Sequence, residues 1–295
     1  MAHAAKEPGA HPPRSWVLWH PHQRLWNWRL EGMARRVGRP LGLARVLVAA
    51  LIRVDSLVLL LGIVARRVVR HGPRQALRLV EPSTRRVLYV DCGVHKRGKQ
   101  LRFVADALGD RCDLALVGVE ASAEHHRDAL AALADLEHLD LRQVALVGPD
   151  HDLAPVRLYR GEHGGKADSL YVETDRYETV PAARLSEILR RDYGECLGDA
   201  AVLVRMNIEG SEPDVIDDLV RSGVHRHVDG WFGMWDDVSK QDPDRDRRFR
   251  RTLREAGIRS VTFNDRDLGT PWRRRAIRLA LDDALRRHPG STTAR

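Results

Sequence analysis

Cysteine is scarce in this chain: Cys92, Cys112 and Cys196 are the only three in 295 residues. An odd number without metal-ligand spacing argues against a disulfide framework and against a metal site, and it suits a reducing, cytoplasmic compartment. The N-terminus lacks the charged start, short apolar core and small-residue cleavage site of a secretory signal, so none is expected. Acidic residues are nearly missing from positions 1–80, which hold 3 Asp/Glu against 14 Lys/Arg, a net charge of +11. Residues 81–295 hold 38 against 35 and carry −3, so the basic excess belongs entirely to the N-terminal arm. No basic face interleaved with aromatics follows that arm, and nucleic-acid binding by the main part of the chain is not expected. A Gly-x-Gly-x-x-Gly fingerprint is also missing, which disfavours NAD or FAD.

The arm itself is apolar as well as basic. Between Leu41 and Val69 only Arg45, Arg53, Asp55, Arg66 and Arg67 carry charge, and Ser56 to Ala65 is the longest uncharged run. That run is about half of the roughly 20 residues needed to cross a bilayer. The pattern predicts two helices, Leu41 to Val54 and Ser56 to Val69. They either pack on the domain that follows or lie on a membrane surface, with Arg66, Arg67, Arg70, Arg74 and Arg78 at anionic headgroups. Upstream, Trp16, Trp19, Trp26 and Trp28 stand among Arg24, Arg29, Arg35 and Arg36. Such aromatics anchor at an interface or cap a core, so peripheral membrane contact would run through residues 16–78.

After Glu81-Pro82 apolar runs and amphipathic stretches alternate. Val87 to Val90, Leu114 to Val119, Val144 to Val147, Ala201 to Met206, His227 to Phe232 and Ser260 to Phe263 read as strands. Lys99 to Leu108, Ala123 to Leu139, Ala183 to Arg191, Glu212 to Ser222 and Asp244 to Ala256 read as helices between them. The tail, Trp272 to Arg287, reads as a solvated, arginine-rich surface helix. The expected fold is α/β, a doubly wound, Rossmann-like, mostly parallel sheet over residues 81–295 with an N-terminal helical extension over 1–80. Ligands of such sheets bind beyond the carboxyl ends of the strands. Asp91, Glu120, Asp150 and Asn207 fall at or just past those ends.

Candidate site residues follow from those positions. The stretch Val87 to Gly98 ends a buried strand at Asp91 and turns through Gly93 and Gly98 into a helix, a corner where N–H groups collect. Glu120 closes the second strand, where a carboxylate can accept hydrogen bonds from both hydroxyls of a ribose. Asp150, in Gly148-Pro149-Asp150, is a turn former or a contact for an adenine amino group. Asn207, Glu209 and Glu212 gather oxygen-bearing side chains where a strand passes into a helix. Asn207 and Glu212 also fit simple capping. His163, in Gly161-Glu162-His163-Gly164-Gly165, is a candidate for proton removal because imidazole titrates near neutrality. Trp231, Phe232 and Trp235, followed by Asp236 and Asp237, either wall an acceptor pocket or fill a core.

Tyr89-Val90-Asp91-Cys92-Gly93, Val119-Glu120, Gly164 to Ser169, Val180 to Leu189 and above all Asn207-Ile208-Glu209-Gly210-Ser211-Glu212 resemble the FkbM family of S-adenosylmethionine-dependent methyltransferases. The resemblance spans about residues 85–265. It implies that Asp91 and Gly93 line the methionine end of S-adenosylmethionine, Glu120 its ribose, and Glu209 and Glu212 the active-site corner. It further implies O-methylation of a small-molecule or sugar hydroxyl. Two departures stand out: one residue more than the family usually has separates Gly93 from Gly98, and Asn207 replaces the family's leading acid. These departures motivate the alternative, a catalytically silent binding or scaffold protein held at a membrane by its arm.

Overall fold

The computed structural model describes residues 43–79, 85–161, 168–233, 242–263 and 267–287, together with Met33, Arg36, Val37, Trp235 and Val238. Trp16, Trp19, Trp26, Trp28, His163, Asp236 and Asp237 lie outside the described residues.

In chain order the elements are α1 (Ala44–His71), β1 (Arg86–Cys92), α2 (Lys99–Leu108), β2 (Asp113–Glu120), α3 (Ala123–Ala132), β3 (Leu139–Gln143), β4 (Ala145–Leu146), β5 (Val156–Tyr159), β6 (Tyr177–Val180) and β7 (Ala182–Ala183). They continue with α4 (Leu185–Tyr193), α5 (Cys196–Asp199), β8 (Ala201–Met206), α6 (Glu212–Arg221), β9 (Val228–Gly233), α7 (Pro243–Glu255), β10 (Ser260–Val261) and α8 (Pro271–Arg287). The central sheet has six strands in the order β10-β9-β8-β1-β2-β3, and every pairing in it is parallel. The chain moves outward from β1 through β2 to β3, then returns and moves the other way through β8, β9 and β10. That reversal puts the topological switch point between β1 and β8, where doubly wound sheets hold ligands.

Apart from the paired Asp91 and Arg205 near their carboxyl ends, the central strands β1 and β8 are apolar inside the sheet because both faces are covered. One face carries Val87, Tyr89 and Leu203 against α2, α8 and the inner side of α1, with Leu101, Val104, Ile277 and Leu281 fully buried. The other carries Leu88, Val90, Val202 and Val204 against α4 and α6, with Leu189, Val215 and Leu219 fully buried.

Three expectations are corrected. The third sheet strand is Leu139–Gln143, not Val144 to Val147, and the preceding helix stops at Ala132. Leu-Asp-Leu-Arg-Gln alternates with period two, the pattern of an edge strand, and all five residues are half-buried. Ala145–Leu146 pairs with β7 outside the main sheet. The apolar arm forms one 28-residue helix rather than two. Arg53 and Asp55 do not break it, since Asp55 pairs with Arg273 at 3.0 Å and the Ser56 hydroxyl donates back to the Ile52 carbonyl at 2.6 Å.

The tail helix is not a solvated surface helix. α8 lies between the sheet and α1, with Ile277, Leu279, Leu281 and Ala284 fully buried. Two of its charges are buried in pairs, Arg273 on Asp55 and Asp282 accepting from Arg67, Arg111 and Arg286, while Arg274, Arg278 and Arg287 stay on the exposed side.

Candidate functional site

The carboxyl ends of β1, β2 and β8 meet at the switch point. Past Cys92 the chain turns through Gly93 in the left-handed region, φ 86°. A Cβ there would stand 2.1 Å from the Asn207 carbonyl oxygen, so the crossing of the two loops requires glycine. Gly93 and Val94 both donate their N–H to the Val119 carbonyl, at 2.8 and 3.3 Å, folding the turn back over β2. His95 follows, also left-handed at φ 58°, and its N–H donates to Glu120 Oε2 at 2.7 Å.

Glu120 Oε1 accepts from the Ser122 N–H at 3.0 Å, and the residue is 8 % exposed. Burial raises its carboxyl above the usual range, opposed by the two N–H donors and by His125. The His95 and His125 rings stand 4.6 Å apart between centroids. Arg160 closes the outer side, donating to Ser122 Oγ at 2.9 Å and pairing with Asp168 at 3.1 Å and Glu178 at 3.2 Å.

Asp91 occupies a different position from the one expected. It is fully buried and paired at 2.5 Å with Arg205 Nη1, itself 2 % exposed. Arg205 also donates to the Gly93 carbonyl at 3.2 Å and the Phe263 carbonyl at 3.0 Å. Asp91 therefore acts through Arg205 on the glycine turn and offers no surface to a ligand. Gly98 is likewise committed elsewhere. It starts α2 at φ 49° with Leu133 packed on it, where a Cβ would come within 2.3 Å, so packing explains this glycine.

Across the crevice, the Asn207 N–H donates to the Cys92 carbonyl at 2.9 Å. Its side-chain Oδ1 is buried and has no hydrogen-bond partner among the described residues. Glu209 adopts φ 51°, a left-handed conformation that costs a non-glycine residue about 1–2 kcal/mol. Glu212 holds that turn: its Oε1 accepts from the Ile208 N–H at 2.8 Å and its Oε2 from the Gly210 N–H at 2.9 Å. At 1 % exposed, Glu212 is buried in the turn that carries Glu209, with both oxygens engaged by its N–H groups. The Ser169 hydroxyl, beyond the β5–β6 hairpin's first strand, donates to the Glu209 carbonyl at 3.1 Å.

Strain at Glu209 has a measurable signature. Glu209→Gly is expected to raise stability by about 0.5–1 kcal/mol, because glycine adopts φ near 50° freely. Urea unfolding checks this, and a clear loss of stability would contradict the assigned strain.

Asp150 stands apart from this crevice. Its side chain is 80 % exposed and paired with Arg221 at 2.9 Å. It borders a separate pocket of about 620 Å³ whose wall includes His151, Tyr159, Tyr171, Asp214 and Asp217. Glu120, Gly93 and Asn207 do not line that pocket. Tyr171 closes it, donating its hydroxyl to Asp214 while Arg245 lies 4.2 Å over its ring. Burial raises the Asp214 carboxyl, countered by Arg245. Trp231, Phe232 and Trp235 belong to the core, at 7, 1 and 3 % exposed. Trp235 Nε1 donates to the Met206 carbonyl at 3.1 Å.

No protein-family model, curated protein or solved structure matches the chain. The resemblance to the FkbM methyltransferases therefore rests on the motif residues alone. Among those, Gly93, Glu120, Asn207 and Glu209 gather around the switch point, while Asp91, Gly98 and Glu212 build the scaffold beneath them. Arg205 and Arg160 have no counterpart in the sequence reading. An arginine inside Val202-Leu203-Val204-Arg205-Met206 is itself a signal, since a charge in a central strand requires a buried partner.

Proposed function

We propose that the protein is an S-adenosylmethionine-dependent methyltransferase acting on a hydroxyl oxygen of a small molecule or sugar. The observation that carries this reading is the buried, unpartnered Asn207 Oδ1 beside the Gly93 turn at the switch point. A buried acceptor left unsatisfied costs about 1–3 kcal/mol, and a donor from a ligand offsets that cost. The ammonium of the methionine end of S-adenosylmethionine supplies such a donor. Glu120 fits the ribose: a carboxylate offers roughly four acceptor positions, so those left after its two N–H bonds suit the vicinal hydroxyls.

When bound, the cofactor supplies an electrophilic methyl group. The chain's own part is alignment and proton removal. Glu209, pinned in its strained conformation by Glu212, is the carboxylate of the corner assigned to the acceptor's proton. Asp91 and Arg205 fix the turn from below without touching either substrate. His163, outside the described residues, keeps its candidacy for proton removal because imidazole titrates near neutrality.

Asn207→Ala separates a ligand role from a structural one. Its Oδ1 has no partner among the described residues, so the substitution is expected to leave the urea midpoint unchanged or higher. Affinity for S-adenosylmethionine, read by calorimetry, is expected to fall about tenfold. Unchanged affinity with a lowered midpoint would refute the assignment. The second reading, a binding or scaffold protein without chemistry, draws on the closure of Asp91 by Arg205. On that reading the folded protein takes up no S-adenosylmethionine at all.

A further inference from the structure

α1 buries one side and presents the other to solvent. Leu59, Ile63 and Arg67 face α8, at 3, 2 and 0 % exposed. On the opposite side Leu43, Val46, Val54, Leu57, Leu61 and Val68 are between 37 and 61 % exposed. Their spacing follows the helical period, so they form one stripe about 38 Å long. Isolated exposed leucines are ordinary, but a continuous apolar stripe of this length marks an interaction surface. By length and composition the helix is apolar enough to cross a membrane, with a mean hydropathy of 2.4 over 18 residues, of which 28 % are buried in the protein.

We infer that α1 lies in the plane of an anionic bilayer surface, its outer stripe in the boundary between headgroups and acyl chains. Two observations select this occupant. The arm that carries the stripe has a net charge of +11, and Arg45, Arg53, Arg70 and Arg74 are exposed along it. Basic charge flanking an apolar helical face is the pattern that binds acidic lipid surfaces. The inner side is tied to the domain by Asp55–Arg273, Arg67–Asp282 and Arg67–Asp283. Crossing the bilayer would carry Asp55 and Arg67 away from those partners, whereas lying flat keeps them paired. The inference goes beyond methyl transfer and stands or falls independently of it.

Co-sedimentation of the full chain with lipid vesicles tests it. Binding is expected to vesicles of phosphatidylcholine with phosphatidylglycerol, weakly or not at all to phosphatidylcholine alone, and to fall as salt rises. Leu57→Asp with Leu61→Asp is expected to cut the bound fraction about tenfold while lowering the urea midpoint only slightly, since the two side chains are 37 and 58 % exposed. Arg53→Glu gives an independent reading through charge alone and is expected to weaken binding to the anionic vesicles only. Equal binding of all three proteins, or no binding to anionic vesicles, would overturn the inference. So would a dimer seen by light scattering that the Leu57/Leu61 variant dissolves.

Discussion

Asp91→Ala is expected to lower unfolding stability by about 3–5 kcal/mol, among the largest effects of any single substitution here. Removing one partner of a buried ion pair leaves the other charge uncompensated, and Arg205 has no route to solvent at 2 % exposed. Arg205 then loses its anchor at 2.5 Å and, with it, the geometry of its bond to the Gly93 carbonyl. The glycine turn slackens as the strand pair beneath it loosens. A double-mutant cycle separates pairing from packing. Arg205→Met alone takes the guanidinium away from the buried Asp91 carboxylate, whereas Asp91→Ala with Arg205→Met removes both charges of the pair and is expected to recover much of the loss. Urea titration of the four proteins reads the coupling directly, and purely additive single-mutant losses would contradict a shared ion pair. Loss of cofactor binding in Asp91→Ala would therefore reflect the turn, not a removed ligand contact.

Arg67→Ala is expected to cost a similar amount, about 3–5 kcal/mol. Its side chain is fully buried and donates to the carbonyls of Ala76, Arg78 and Leu279 at 2.6–3.0 Å, and to Asp282 and Asp283 at 3.1 and 2.6 Å. Alanine would take a donor away from three carbonyls and one of the arginines, Arg67, away from the buried Asp282. The same bonds explain why deleting residues 1–80 is a poor test of the arm: the cut would expose α8 along its whole inner side. A thermal or urea midpoint that barely moves in Arg67→Ala would show that α1 is not an integral layer of the fold.

The alternation that defines the sheet is legible in the sequence because the central strands, over Val87–Val90 and Ala201–Val204, are buried on both faces and read as unbroken apolar runs. Edge strand β3 is not, since half-burial leaves Asp140 and Arg142 in the pattern, and the more apolar Val144 to Val147 draws the eye instead. α8 misleads for a related reason. Its arginines read as solvent-facing, but the partner of Arg273 lies 218 residues away and that of Asp282 215 residues away, a pairing no local pattern encodes.

The site shows the same division. Gly93, Glu120 and Asn207 are found from strand ends and turn chemistry, which are local properties. The sealing of Asp91 depends on Arg205, 114 residues downstream but directly opposite it in the β1–β8 register. Glu212 reads equally well as a catalytic acid and as first-turn helix charge, and its bonds to the Ile208 and Gly210 N–H groups come into view only once the turn is folded.

The central claim is that the switch-point crevice binds S-adenosylmethionine through Glu120 and Asn207. Calorimetric titration of the folded full chain with S-adenosylmethionine tests it most directly, run beside Glu120→Gln, which keeps the size of the side chain but removes its charge. Saturable binding to a single site, weakened about tenfold or more in Glu120→Gln, is the predicted result. A folded protein that gives no binding heat and no competition by S-adenosylhomocysteine would contradict it.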